Sequence, residues 1–208
     1  MRAHAIRCLT FVLLAACAGD APLAPVESVT LEELPPAEVA DLYQQEQAEL
    51  ARVTARHAAS DSTLDSLRTA WTSLRTDWAI DGSLVLCVPR PYDAQVRIIG
   101  PEGGTLVVGK HRLTIPPGAI DRPVVITVES PASFEVSLEF RPHGLQFNKR
   151  PTLTIDYTHC LRPVWLHERV AYLGDANQIL EWPESHDRTT HGEVDARIDH
   201  FSRYAVAF

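Results

Sequence analysis

The sequence predicts a mainly β chain: a two-sheet antiparallel sandwich over residues 83–208, preceded by an amphipathic helical segment over residues 37–80. Three observations carry this. After Ser83, short apolar runs alternate with period two. Clusters of Pro and Gly divide those runs at fairly even spacing. Before Ser83 the apolar residues recur instead at steps of three and four, as on one face of a helix.

With 208 residues the chain can bury one core of ordinary size and carry an appendage. Its formal net charge of -8 removes nucleic acid from the candidate partners, because phosphate binding needs a basic surface. The same acidity argues against direct attraction to anionic lipid heads.

Residues 1–16 have the pattern of a secretory signal, with Arg2 and Arg7 ahead of the apolar run from Cys8 to Ala16. The run is too short to span a bilayer as a helix. Leu14-Ala15-Ala16-Cys17 resembles the lipobox of bacterial lipoproteins residue for residue. That resemblance implies cleavage before Cys17 and acylation of its sulfur and new amine. Several acyl chains on one residue anchor a protein stably. The expected location is a bacterial cell envelope, with a lipid anchor in the membrane. Asp20 is not adjacent to Cys17, which leaves the outer membrane open as the destination. The competing reading is an ordinary signal peptide cut near Ala18 or Ala21, with Cys17 incidental.

Residues 17–36 form a linker rich in Pro, Ala and acid. Pro36, followed by Ala37 and Glu38, suits a helix start. Val39, Tyr43, Leu50 and Val53, then Leu64, Leu67, Trp71, Leu74 and Trp78, mark one helical face. Glu46, His57 and Ser60 interrupt it with polar groups. Ser62-Thr63-Leu64-Asp65 is a candidate capping box, so the segment is one long helix or two helices broken near residues 58–62. The face forms a coiled-coil stalk that makes a homo-oligomer, a helical hairpin, or a contact with the sandwich.

The strands follow in order. Leu84 to Val88 is apolar, and Val96 to Ile99 is a short strand. Thr105 to Val108 and His111 to Ile115 form a hairpin about Gly109-Lys110. Val124, Ile126 and Val128 share one face, with Thr127 and Glu129 on the other. Val136, Leu138 and Phe140 alternate with Ser137 and Glu139, and Leu153, Ile155 and Tyr157 with Thr154 and Asp156. Val170 and Tyr172 mark a strand, and Gly174 to Asn177 a turn before Gln178 to Trp182. Val194, Ala196 and Ile198 precede a last strand bearing Tyr204, Val206 and Phe208. Cys87 and Cys160 lie beside strands, and outside the cytoplasm their simplest state is a disulfide. Free buried thiols or metal ligands are the alternatives, and without a CxxC partner the metal signal is weak.

Gly103-Gly104-Thr105-Leu106, then Leu113-Thr114-Ile115-Pro116-Pro117-Gly118-Ala119-Ile120, then Pro142-His143-Gly144-Leu145-Gln146-Phe147-Asn148-Lys149-Arg150-Pro151-Thr152-Leu153-Thr154-Ile155 resemble the ZU-five domain of zonula-occludens proteins, UNC-five netrin receptors, ankyrins and death-domain signalling proteins. The likeness covers about residues 98–157 and weakens toward Phe208. It implies an immunoglobulin-like β-sandwich that serves as an interaction or scaffolding module. Physically, Gly103 and Gly104 suit positive φ at a tight turn, and Pro116-Pro117-Gly118 and Pro142-His143-Gly144 redirect the chain. Phe147 is expected to plug the core, and His143 to bond backbone at its turn.

His200-Phe201-Ser202 resembles the autoprocessing site at the end of some ZU-five domains. That resemblance implies attack of Ser202 Oγ on the Phe201 carbonyl with His200 as general base. The alternative is a structural corner between the last two strands. His159, His167, His186 and His191 fall in loop-like segments and read as solvated. No phosphate-cradling loop, GxSxG elbow or dinucleotide fingerprint occurs, so no cofactor and no metal are expected. The leading expectation is a non-catalytic lipoprotein module that meets an envelope protein partner. Self-cleavage between Phe201 and Ser202 is the first alternative. A glycan- or peptide-binding sandwich, hinted at by Trp165 and Trp182, is the second.

Overall fold

The computed structural model describes residues 28–74, 84–161 and 166–208. The expected signal peptide, Cys17, Trp78 and Trp165 lie outside the described residues. A short 3-10 turn, Leu31–Glu33, leads into a helix α1, Pro36–Leu74. Thirteen strands follow: β1 Leu86–Cys87, β2 Asp93–Ile99, β3 Gly104–Val108, β4 His111–Ile115, β5 Val124–Ser130, β6 Ser137–Arg141, β7 Thr152–Asp156, β8 Cys160–Leu161, β9 Arg169–Leu173, β10 Ile179–Glu181, β11 Glu184–Arg188, β12 Glu193–Arg197 and β13 Arg203–Ala207.

The strands form the expected antiparallel sandwich. One sheet has the order β10-β9-β13-β6-β5-β2, the other β11-β12-β7-β4-β3, and β1 pairs with β8 in a small third sheet. Inward residues of the two large sheets, among them Leu113, Ile126, Phe140, Ile155, Val194 and Tyr204, make one core. Gly109, at φ 58°, opens the β3–β4 turn as its position in the hairpin predicts. Gly103 takes φ 72°, and a Cβ there would lie 2.3 Å from the Ile115 carbonyl oxygen. Gly104 does not share that conformation. It is small because the Ile99 side chain would meet its Cβ at 2.9 Å.

Side chains close both lateral seams of the sandwich. At one, the Val107 N–H donates to Gln95 Oε1, the Gly109 N–H to Asp93 Oδ2, and Arg97 to the Thr105 carbonyl. At the other, Ser185 Oγ accepts from the Val170 N–H. These bonds occupy groups that bare edge strands would offer to another chain. β11 is a correction to the loop expected there. Its residues lack apolar alternation, yet they pair with β12 from Glu184↔Arg197 to Arg188↔Glu193. An edge strand with one wet face tolerates such a sequence, and Arg188 adds contacts to Glu193 and Asp195.

α1 is one unbroken helix, so the restart considered at residues 58–62 does not occur. It packs on the outer face of the six-stranded sheet, against β2 and β5. Val53, Leu64 and Trp71 are buried there, and Trp71 stacks on Phe134 with ring centroids 6.1 Å apart. The packed face is the expected one from Val53 onward, but in the first half Tyr43 is 49% and Leu50 38% exposed while Leu42 and Glu49 are partly covered, and Glu49 joins the arginines that meet a sheet carboxylate. Among the described residues no helix is long and apolar enough to cross a membrane.

Candidate functional site

The segment from His200 to Ser202 enters β13, which lies between β9 and β6. Phe201 is a core residue, 1% exposed, stacked on Phe140 at 5.1 Å and edge-on to Phe147 at 4.9 Å. Its N–H donates to the Leu145 carbonyl, and its own carbonyl accepts the Gly144 N–H at 2.9 Å. The His200 ring sits edge-on to Tyr172 at 5.0 Å, and the Tyr204 hydroxyl donates to the His200 carbonyl. Burial, the largest cause, raises the Tyr204 hydroxyl above its ordinary pKa. No hydrogen bond joins Ser202 Oγ to the His200 ring among the described residues. Proton abstraction by His200 would take that contact, directly or through one water.

Ser202 instead lines a recess of 440 Å³ with Arg56, Glu139, Arg141, His143 and Arg203. His143 is exposed at its rim, and among the described residues its ring makes no hydrogen bond to backbone. Arg141 and His143 also border a neighbouring recess of 380 Å³ under α1.

Beside these recesses lies a group that sequence reasoning did not single out. Glu129 on β5 is fully buried under α1. Arg52 donates to its Oε1 and Arg56 to its Oε2, each at 2.7 Å, and the Tyr92 hydroxyl donates to Oε2 at 2.6 Å. Arg141 Nε stands 3.7 Å from Oε1. Arg52 also donates to Glu49, which accepts from Thr127 on β5. Burial by itself would raise the Glu129 pKa, but the bonds from Arg52, Tyr92 and Arg56 outweigh it and hold the carboxyl at about 2. Burial and the Glu129 bond push the Tyr92 hydroxyl upward. The available signal was a pair of arginines at i and i+4, Arg52 and Arg56, bordering an apolar face. Their acid lies 77 and 73 residues away, so no local pattern names it.

Cys87 and Cys160 form the disulfide expected of them, as register partners joining β1 to β8. His159, expected to be solvated, has a side chain only 11% exposed and lies beside that bond. Its Nδ1 is 3.7 Å from Asp156 Oδ1 and has no hydrogen-bond partner among the described residues. His111 is buried, and its Nδ1 accepts the Asp156 N–H at 3.1 Å. The alternation that turns Leu113 and Ile115 inward turns His111 inward too. Burial, the largest cause, lowers His111 and His159 to about 4 each. His167, His186 and His191 are exposed as expected.

The buried histidines have a consequence for pH. Both stay neutral in the fold while an unfolded histidine protonates near its ordinary 6.5. Stability is therefore full above pH 6.5, falls as pH drops toward 4, and stops falling on their account below that. His111→Asn keeps an acceptor for the Asp156 N–H and removes one titration. It is expected to halve the loss of unfolding free energy between pH 6.5 and 4, measured by urea denaturation. An unchanged slope would rule out His111 as a source.

No family model and no curated protein matches the chain. The ZU-five likeness therefore rests on its motifs alone. Trp182, one of the two tryptophans proposed as a sugar platform, has Arg169 4.6 Å over its ring, so that face is already covered.

Proposed function

We propose that this is a membrane-anchored envelope lipoprotein that displays a ZU-five-like β-sandwich as a non-catalytic structural and protein-interaction module. The observation that carries this reading is the clasp at Glu129. It makes α1, the α-helix between the proposed anchor and the strands, part of the same body as the sandwich. Ten residues separate Cys17 from Ser28, a reach of at most about 40 Å. A body tied this way is held close to the surface in a defined form, which suits recognition of a neighbour. A palmitate analogue is expected to label the wild-type protein in cells and not Cys17→Ser, which should leave the membrane fraction. Equal labelling of both would sink the anchor. Pull-down of the anchored protein after cross-linking is expected to recover an envelope protein, and failure to recover any counts against the interaction role.

The second reading is self-cleavage between Phe201 and Ser202. It is favoured by the hydrogen bond that the Phe201 carbonyl accepts from Gly144, since a donor at that oxygen would stabilise a tetrahedral intermediate. Intact-mass measurement decides between the two. The module reading expects no species ending at Phe201, even after prolonged incubation, and a time-dependent species of that mass would replace it.

A further inference from the structure

Cys87 and Cys160 lie in a setting that a structural disulfide does not by itself require. A ring nitrogen of His159 and the two sulfurs all fall within 4.8 Å of one another. His159 Nδ1 is buried and has no hydrogen bond among the described residues, and Asp156 Oδ1 lies 3.7 Å from it, with Arg90 and Lys110 as neighbouring cations. Joined as a disulfide the two sulfurs are too close together to be zinc ligands, but once reduced and parted, two thiolates and an imidazole are a donor set that suits zinc, whose tetrahedral donors sit at about 2.0–2.3 Å from the ion.

The strands that carry these donors are held by more than the sulfur bond. The Cys87 N–H donates to the Phe134 carbonyl, the Val88 N–H to the His159 carbonyl, and the Cys160 N–H to the Tyr157 carbonyl. Val85 upstream donates to Val206 in β13. Reduction thus leaves both cysteines next to His159. Cys87 is buried and Cys160 partly exposed, so a reductant meets Cys160 first.

The geometry points to a redox-gated zinc site: when the disulfide is reduced, Cys87, Cys160 and His159 bind one Zn²⁺, with a water or the Asp156 carboxylate in the fourth position. In the gating step a dithiol gives two electrons and two protons to the disulfide and becomes a cyclic disulfide itself. The two protein thiols then release their protons as the ion binds. In the reverse step a cyclic disulfide of the same class takes two electrons from the two thiolates and two protons from solvent and returns to the dithiol, the Cys87–Cys160 bond reforms, and the Zn²⁺ is released.

The test uses the full chain with Cys8→Ser and Cys17→Ser in every arm, so that only this pair of thiols is present. The protein is reduced anaerobically with a dithiol, freed of it, and titrated with Co²⁺ and then Zn²⁺. The expected result is one equivalent of Co²⁺ bound, with a thiolate charge-transfer band and the visible bands of a four-coordinate site, both erased by Zn²⁺. The oxidised chain should show neither. His159→Gln should retain its disulfide when oxidised and lose about 10- to 100-fold in affinity when reduced, by analogy with losses at other ligand-shell positions. Zn²⁺ should also raise the melting temperature of the reduced wild type. Absence of the bands, or equal affinity in His159→Gln, overturns the site. So does a reduced chain that unfolds and is not restored by Zn²⁺.

Discussion

Glu129→Gln is expected to destabilise the protein by about 3–5 kcal/mol, because it leaves Arg52 and Arg56 facing a site with no charge. Both arginines are close partners of the buried carboxylate, and Arg52 is itself largely buried. At this chain length the loss corresponds to a melting point lower by about 6–20 °C. The same carboxylate sets an acid limit. Its folded pKa of about 2 lies below the ordinary 4.5. Its contribution is therefore complete above pH 4.5 and disappears as pH falls toward 2. The wild type should show that slope in acid denaturation, and Glu129→Gln should lack it. Hydrogen exchange should locate the damage, with faster exchange in the middle of α1 than in β7 or β12. A variant as stable as wild type at neutral pH would mean that the helix docks through Val53, Leu64 and Trp71 alone.

Removal of the disulfide by Cys87→Ala with Cys160→Ala is expected to cost about 4 kcal/mol in the chain-entropy account, given the 73-residue separation. The midpoint of urea unfolding should fall accordingly, with little change in its slope if the unfolded chain is equally open in both forms. β1 and β8 are two residues each, and the cross-link adds to the backbone bonds from Cys87 to Phe134 and from Val88 to His159 that seat them in the sandwich. An unshifted midpoint, with thiol titration confirming the disulfide in the wild type, would show that the cross-link constrains nothing in the unfolded state.

These two expectations rest on features with different visibility. The cysteine pair could be read from residue counting and the expected oxidising compartment. The clasp could not. Glu129 was placed on the outer face of its strand by alternation with Ile126 and Val128, and an outward carboxylate ordinarily reads as solvated. It is buried because a helix some 75 positions earlier lies across that face. Tyr43 and Leu50, expected on the packed face by period alone, stay exposed, while Glu49 and Arg52 take part in the contact with β5. His159 stands in the same relation to the disulfide. It follows the end of the β7 alternation, where a histidine reads as a turn residue, and its neighbour Cys160 is brought against Cys87 by a pairing 73 residues apart.

Local chemistry thus determined the strands, the two-residue turn at Gly109, the long helical segment and the likeness of the motif series, because each is encoded within a few residues by side-chain period and backbone freedom. Tertiary structure alone decided that α1 lies on the sheet, that β11 is a strand, that His111 and His159 are neutral interior groups, and that Phe201 belongs to the core. Each of those depends on which distant surface removes water from the residue, and no short stretch of chain contains that information.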